Sequence, residues 1–232
     1  MTDKLAVIGS NGFVGKVMCL NARKNGINVV EVTRQNYQLA QKEGGFDYII
    51  NCSMPSGRFW AKNNPSDDFQ ETVQKTFNIK TDFAGSKVIQ ISSISARLQR
   101  DTIYGRHKLS AEALLEPMSD LIIRLGPLYH SSMSKGALID IINNQKVFLS
   151  GETKYAFTPL EWACSKILEN IDQFGLLEVG AKGYVTLKDL AAQVGSKSIF
   201  EGDLDDQFFL SNDEDRPSAT DVVDFARARV RS

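Results

Sequence analysis

The chain has 232 residues, of which 42% are hydrophobic and 24% charged, enough apolar material for one large domain or a domain with a small lobe and too much for a disordered chain. Its net charge is −1 with no basic block, which argues against a nucleic-acid or anionic-membrane surface as its main business. Cys19, Cys52 and Cys164 stand apart without CxxC spacing, and only His107 and His130 exist, so neither a disulfide frame nor a zinc site is expected and no metal is assigned.

In chain order, Met1-Thr2-Asp3 leads straight into an apolar run at 5–8, read as a buried parallel strand without a signal peptide. No apolar run is long enough to span a bilayer, and a reduced cytoplasmic setting is expected. The stretch Gly9-Ser10-Asn11-Gly12-Phe13-Val14-Gly15 follows, then a helix-like run over 13–25 stopped by Gly26. Strand, glycine turn and helix start make a seat for phosphate: glycines allow the sharp turn and close approach, and the helix offers free N–H groups. The bland alternative is a turn that merely needs glycine. Candidate phosphate-cradling residues are Gly9, Asn11, Gly12, Phe13, Val14 and Gly15.

A β-branched strand at 27–33 ends in Val32-Thr33-Arg34. An acidic residue at this tip suits a free ribose 2′-hydroxyl, whereas a nearby arginine accommodates a 2′-phosphate. Thr33 and Arg34 therefore point to NADP(H) over NAD(H), the alternative being a solvated arginine. A short helix or loop over 37–44 precedes a strand at 46–52, whose polar tip supplies Asn51, Cys52 and Ser53 as cofactor candidates. Asn63-Asn64-Pro65-Ser66 starts a helix, and Phe69, Val73 and Phe77 recur at helical spacing. The strand at 88–91 ends in Ser92-Ser93, where ligands of doubly wound sheets gather. A helix over 103–115 carries Tyr104 and Lys108 one turn apart on one face. The apolar run 121–125 is a further strand, followed by Gly126-Pro127. Beyond residue 130 the pattern loosens: helices are expected over 137–142, 160–171, 186–194 and 221–229, with strands at 147–149 and 176–179. Alternating strands and helices give an α/β, Rossmann-type doubly wound parallel sheet with a small C-terminal substrate-binding lobe. The cofactor core is expected over 1–130 with 155–180 packing back onto it, and the lobe over 131–154 and 181–232.

The glycine loop, the serine strand end and Tyr104-Gly105-Arg106-His107-Lys108-Leu109-Ser110-Ala111-Glu112 together resemble the extended short-chain dehydrogenase/reductase superfamily, in particular its nucleotide-sugar enzymes such as dTDP-4-dehydrorhamnose reductases. Residues 47–53 and 123–129 resemble its next segments, and Arg216-Pro217 resembles an element beside the substrate. The resemblance implies an NADPH-dependent reduction of a keto group on a nucleotide-linked sugar. Tyr104 would give the proton, Lys108 would lower the phenol's pKa and hold the ribose, and Ser93 would orient the carbonyl. Gly126 and Pro127 would face the nicotinamide. Ser53, Arg58, Ser93, Tyr104 and Arg216 would meet the substrate, and a homodimer is implied. An epimerase that returns the hydride, or a non-catalytic NADP(H)-binding module, stays open. A dehydratase would carry an acid beside the serine, where Ile94 stands. The separation of Ser93 and Tyr104 is short for the family, and Thr72 stands near where many members carry asparagine.

Overall fold

Continuous apolar runs become the strands of one six-stranded parallel sheet: β1 (Lys4–Ile8), β2 (Asn28–Val32), β3 (Tyr48–Asn51), β4 (Lys87–Ser93), β5 (Leu121–Leu125) and β6 (Gly175–Val179). The computed structural model describes residues 4–210 and 213–230, so Met1-Thr2-Asp3 lies outside them. The sheet order is β2-β1-β3-β4-β5-β6, every pair parallel. The central strands are covered on both faces, and Leu5, Ile49, Ile50, Ile89, Leu121 and Ile123 are wholly buried. Each such side chain contributes about 1.5–3 kcal/mol relative to exposure. The edge strands β2 and β6 are only partly buried, as their mixed sequences require. The chain leaves β1 for β2 on one side and returns to β3 on the other, so the strand order reverses between β1 and β3, the place where open α/β sheets form a ligand crevice.

Helix α1 (Phe13–Lys24) links β1 to β2, and α2 (Tyr37–Glu43) links β2 to β3. Between β3 and β4 run α3 (Arg58–Asn63), α4 (Pro65–Phe69, with proline at its start), a π turn (Gln70–Gln74) and α5 (Lys75–Asp82). The apolar spacing predicts this helical stretch, but not the widened turn in its middle. After β4 come α6 (Ser95–Leu98) and α7 (Ile103–Glu112); the Thr102 hydroxyl caps α7 by accepting the Gly105 N–H at 3.0 Å. Helix α7 ends three residues before the expected 115.

The chain forms two compact units. One takes the residues up to Leu125 with Cys164–Val179, and the other takes Gly126–Ala163 and the residues from Gly180 on. Against the expected boundaries at 130, 155 and 180, Gly126 and Pro127 fall in the second unit, and 155–163 does too. The second unit contains α8 (Ala137–Ile142), α10 (Leu187–Val194) and α11 (Val222–Val230); α9 (Leu160–Glu169) carries the boundary at 163/164. Its core is built from Leu138, Ile141, Phe157, Leu187, Leu190 and Val222. The strand expected at 147–149 does not form: Val147 makes an isolated bridge to Phe200, and Phe148 is exposed. Two-residue pairs, Lys154–Tyr155 with Val185–Thr186 and Leu128–Tyr129 with Thr158–Pro159, form instead. Among the described residues no helix is long and apolar enough to cross a membrane, and no group of His, Cys, Asp and Glu could hold a metal ion.

The start of α1 is tight. A Cβ at Gly15 would lie 2.2 Å from the Gly9 carbonyl oxygen, whereas one at Gly12 would lie 3.1 Å from it. Backbone cannot yield as a side chain can, so Gly15→Ala is expected to cost about 1–3 kcal/mol or more, and Gly12→Ala less. Urea unfolding of the two variants checks the order.

Candidate active site

The glycine loop closes against its neighbours through backbone alone. Gly9 has φ +81°, and a Cβ there would meet Ser53 Cα at 2.8 Å, so the β1 and β3 tips approach as only glycine allows. The Gly9 N–H donates to the Val32 carbonyl at 2.9 Å, joining the loop to the β2 tip. Asn11, Gly12 and Phe13 are exposed and Val14 is partly so. Gly12 is the N-cap of α1 in extended backbone, with no side-chain cap. A twelve-residue helix therefore presents its start, unblocked by any capping side chain, at the sheet's switch point. This arrangement fits a pyrophosphate.

At the β2 tip, Thr33 is engaged in its own turn: its N–H donates to Asn36 Oδ1 at 2.6 Å, and its hydroxyl donates to Gln35 and Asn36 at 3.0 Å. Arg34 projects with its side chain 86% exposed and pairs with Glu71 at 3.2 Å. A cleft of about 470 Å3 is lined by Arg34, Ser53, Pro55, Trp60, Gln70 and Glu71, together with Asp67. Burial works against the Glu71 carboxylate, yet Lys75 and Arg34 hold its pKa below the ordinary value. The acid beside Arg34 was not apparent from sequence, because it comes from the π turn 37 residues on. Asn51 is wholly buried and bonded to Gln90 at 3.0 Å, and its Oδ1 accepts both the N–H (3.0 Å) and the hydroxyl (2.7 Å) of Ser53. Its amide thus shapes the β3 tip, while Cys52 and Ser53 remain partly exposed there.

Ser93, Tyr104 and Lys108 come together within the first unit. Ser93 lies close enough to the Tyr104 phenol to draw its pKa down, and Ser93 Oγ accepts the Ser95 N–H at 3.2 Å. Lys108 Nζ lies 5.1 Å from the centre of the Tyr104 ring and donates to the Pro55 carbonyl at 2.8 Å. A Cβ at Gly105 would lie 2.0 Å from the Gln99 carbonyl oxygen, so the glycine lets α7 close tightly on the short link from β4. The phenol differs from expectation. Burial pushes Tyr104 up to about 12, against the pull of Ser93 and of the Arg58 charge, with Asp68 adding to the rise. Lys108 is 3% exposed, and burial lowers its pKa to about 7, opposed by Asp68 and Glu112 and reinforced by Lys75.

Two carboxylates around α7 were not singled out from sequence. Glu112 is buried one turn beyond Lys108; it accepts from Ser92 Oγ at 2.6 Å and from Arg124 through Nε at 3.0 Å and Nη2 at 2.6 Å. Arg124 is therefore committed to a structural pair. Asp68 is wholly buried, with Oδ2 2.7 Å from His107 Nδ1. The signal for Glu112 was its i+4 spacing from Lys108; no local signal marks Asp68 as buried. In the second unit, the Phe209 ring fills the space where a Cβ of Gly126 (2.8 Å) or Gly180 (1.9 Å) would stand. The Arg216 guanidinium lies 5.7 Å from that ring, donates to the Gly180 carbonyl at 3.2 Å and is 3.7 Å from Asp213.

No protein-family model matches the chain, and no curated protein matches it in sequence. Its fold is that of solved nucleotide-sugar enzymes. A dTDP-4-dehydrorhamnose reductase from Bacillus anthracis in complex with NADP is 15% identical, with a TM-score of 0.76 and 97% of each chain covered. An NAD-dependent NDP-hexosamine 5,6-dehydratase involved in tunicamycin biosynthesis is 10% identical, with a TM-score of 0.82 over 99% of this chain and 98% of that one. A UDP-galactose 4-epimerase is 19% identical, with a TM-score of 0.75 over 98% and 99%.

Burial of Lys108 also sets a pH dependence of stability. Its ordinary pKa of 10.5 falls to about 7 on folding, so between those pH values the unfolded chain binds more protons and stability rises with pH. Below about 7 the penalty of the buried ammonium is fully present. Lys108→Met should therefore raise the melting temperature relative to the parent at pH 6, with the gain shrinking towards pH 10. Thermal unfolding at the two pH values tests the sign.

Proposed function

We propose that the chain is an NADPH-dependent reductase of a keto group on a nucleotide-linked sugar. The observation that carries this reading is the placement of Tyr104: a buried phenol that keeps its proton, brought to Ser93 at the carboxyl end of β4 and with Lys108 Nζ 5.1 Å from its ring centre. A reductase needs that proton at the start of its reaction.

In this reading the glycine loop, Gly9 to Gly15, holds the pyrophosphate, and Arg34 meets the 2′-phosphate. Cys52 and Ser53 border the adenosine side of the cleft, while Thr33 and Asn51 shape the turns that carry it. Arg58, at the start of α3, belongs near the sugar nucleotide. The bound nicotinamide would supply the hydride for the carbonyl carbon. Ser93 orients the carbonyl, and Tyr104 donates its proton to the oxygen that becomes the alcohol. Lys108 as an ammonium favours the phenolate left behind and can offer donors to a ribose hydroxyl, since Pro55 takes one of its three N–H groups. The fold supports the reading: proteins of the same architecture include one solved with NADP and several named for nucleotide-sugar chemistry.

The test is NADPH consumption against a panel of nucleotide-linked keto sugars. Stoichiometric oxidation of NADPH is expected; interconversion of sugars with no net cofactor change would replace the reading with an epimerase. Tyr104→Phe should lower kcat about 10²–10⁴-fold with the cofactor still bound. Arg34→Ala should raise KM for NADPH by on the order of tenfold while leaving KM for NADH nearly unchanged, since one charge-assisted contact contributes that much. Equal effects on both cofactors would remove Arg34 from the 2′-phosphate.

A further inference from the structure

The arginine assigned to the 2′-phosphate sits beside an acid. Arg34 Nη2 lies 3.2 Å from Glu71 Oε2, and both side chains line the same cleft of the first unit. Each comes from a fixed stretch of backbone. The turn that carries Arg34 is held by Asn36, whose Oδ1 accepts the Thr33 N–H at 2.6 Å and whose amide donates to the Glu31 carbonyl at 2.9 Å. Glu71 stands on the π turn, where Thr72 is wholly buried and its carbonyl accepts from the Thr76 hydroxyl at 2.8 Å. The movable part is the long, exposed arm of Arg34.

We propose that Glu71 is a specificity-determining residue for the cofactor: it holds Arg34 when no 2′-phosphate is present and competes with that phosphate for the guanidinium. The proposal rests on the reading in which Arg34 meets the 2′-phosphate, and adds to it what sets the strength of the preference for NADPH over NADH.

Glu71 does not depend on Arg34 for its place. Lys75, one turn on, pairs with the same Oε2 atom, so the carboxylate keeps a cation when the guanidinium leaves. With both cations beside it, Glu71 is ionised at neutral pH. A phosphate drawn to Arg34 therefore meets a negative charge at short range, and the guanidinium must loosen one anion to hold the other. An exposed pair is weak, so Glu71 moderates the arginine without disabling it. NADH offers a 2′-hydroxyl that needs no guanidinium, and the same acid leaves its binding almost untouched. Asp67 is the other acid lining the cleft, but among the described residues Arg34 pairs with Glu71.

The experiment is a calorimetric titration of the intact protein with NADPH and with NADH, in the absence of any sugar. Glu71→Gln, which keeps the length of the side chain, should tighten NADPH about two- to fivefold, the range an exposed pair supports, and leave NADH unchanged. Glu71→Ala removes the same charge and should act alike, so the result does not hang on one variant. In an Arg34→Ala background the gain from Glu71→Gln should disappear, because the two residues act through one contact. Asp67→Asn should give a smaller gain than Glu71→Gln. Unchanged or weaker NADPH binding in both Glu71 variants would overturn the proposal. So would an equal gain with Arg34 absent, or an equal gain from Asp67→Asn. Those failures leave the Arg34 reading standing wherever Arg34→Ala alone weakens NADPH and spares NADH. If Arg34→Ala weakens both cofactors alike, that reading falls and the proposal falls with it.

Discussion

One buried carboxylate ties the Tyr104 helix to the sheet. Glu112 receives Ser92 from β4 and the Nε and Nη2 groups of Arg124 from β5, and Glu178 on β6 joins Arg124 to Arg97 on α6. Buried ion pairs of this kind add little net stability, because desolvation offsets the attraction, but breaking one is severe. Their effect here is geometric. With α7 pinned at its end to two strands, Tyr104 and Lys108 have one place to be, and Ser93 stands beside Ser92 on the pinned strand.

That placement puts two ionisable groups under cover, and burial moves each towards its neutral form. The phenol keeps its proton, while the lysine is brought close to losing one near neutral pH. Neighbouring groups oppose burial without reversing it: Ser93 and Arg58 moderate the phenol, and Asp68 and Glu112 support the ammonium. The pair is thus tuned by residues from several elements rather than by the i,i+4 spacing alone.

The spacing of apolar runs made the sheet, its helices and the glycine turn legible, because each follows from local backbone demands. Tyr104, Lys108 and the serine strand end could be read for the same reason: sequence periodicity puts them on one face or at one tip. The rest depends on contacts between distant segments. The Glu71 acid beside Arg34, the burial of Asp68 and the commitment of Arg124 to Glu112 have no local signature. The expected strand at 147–149 shows the converse error, since a short apolar run forms a strand only where another strand offers its edge. The expected effect of Lys108 on Tyr104 followed from charge alone and left out what burial does to both groups.

The short link from Ser93 to Tyr104 has a consequence of its own. It consists of one helical turn at Ser95–Leu98 and a bend closed by the Gln99 carbonyl against Gly105. A long loop between the same two residues would have to be ordered whenever a ligand arrived, and that ordering would subtract from affinity. Here the chain itself spans the gap with no slack. The distance between hydroxyl and phenol is therefore a property of the folded protein before anything binds, and recognition begins from a rigid template.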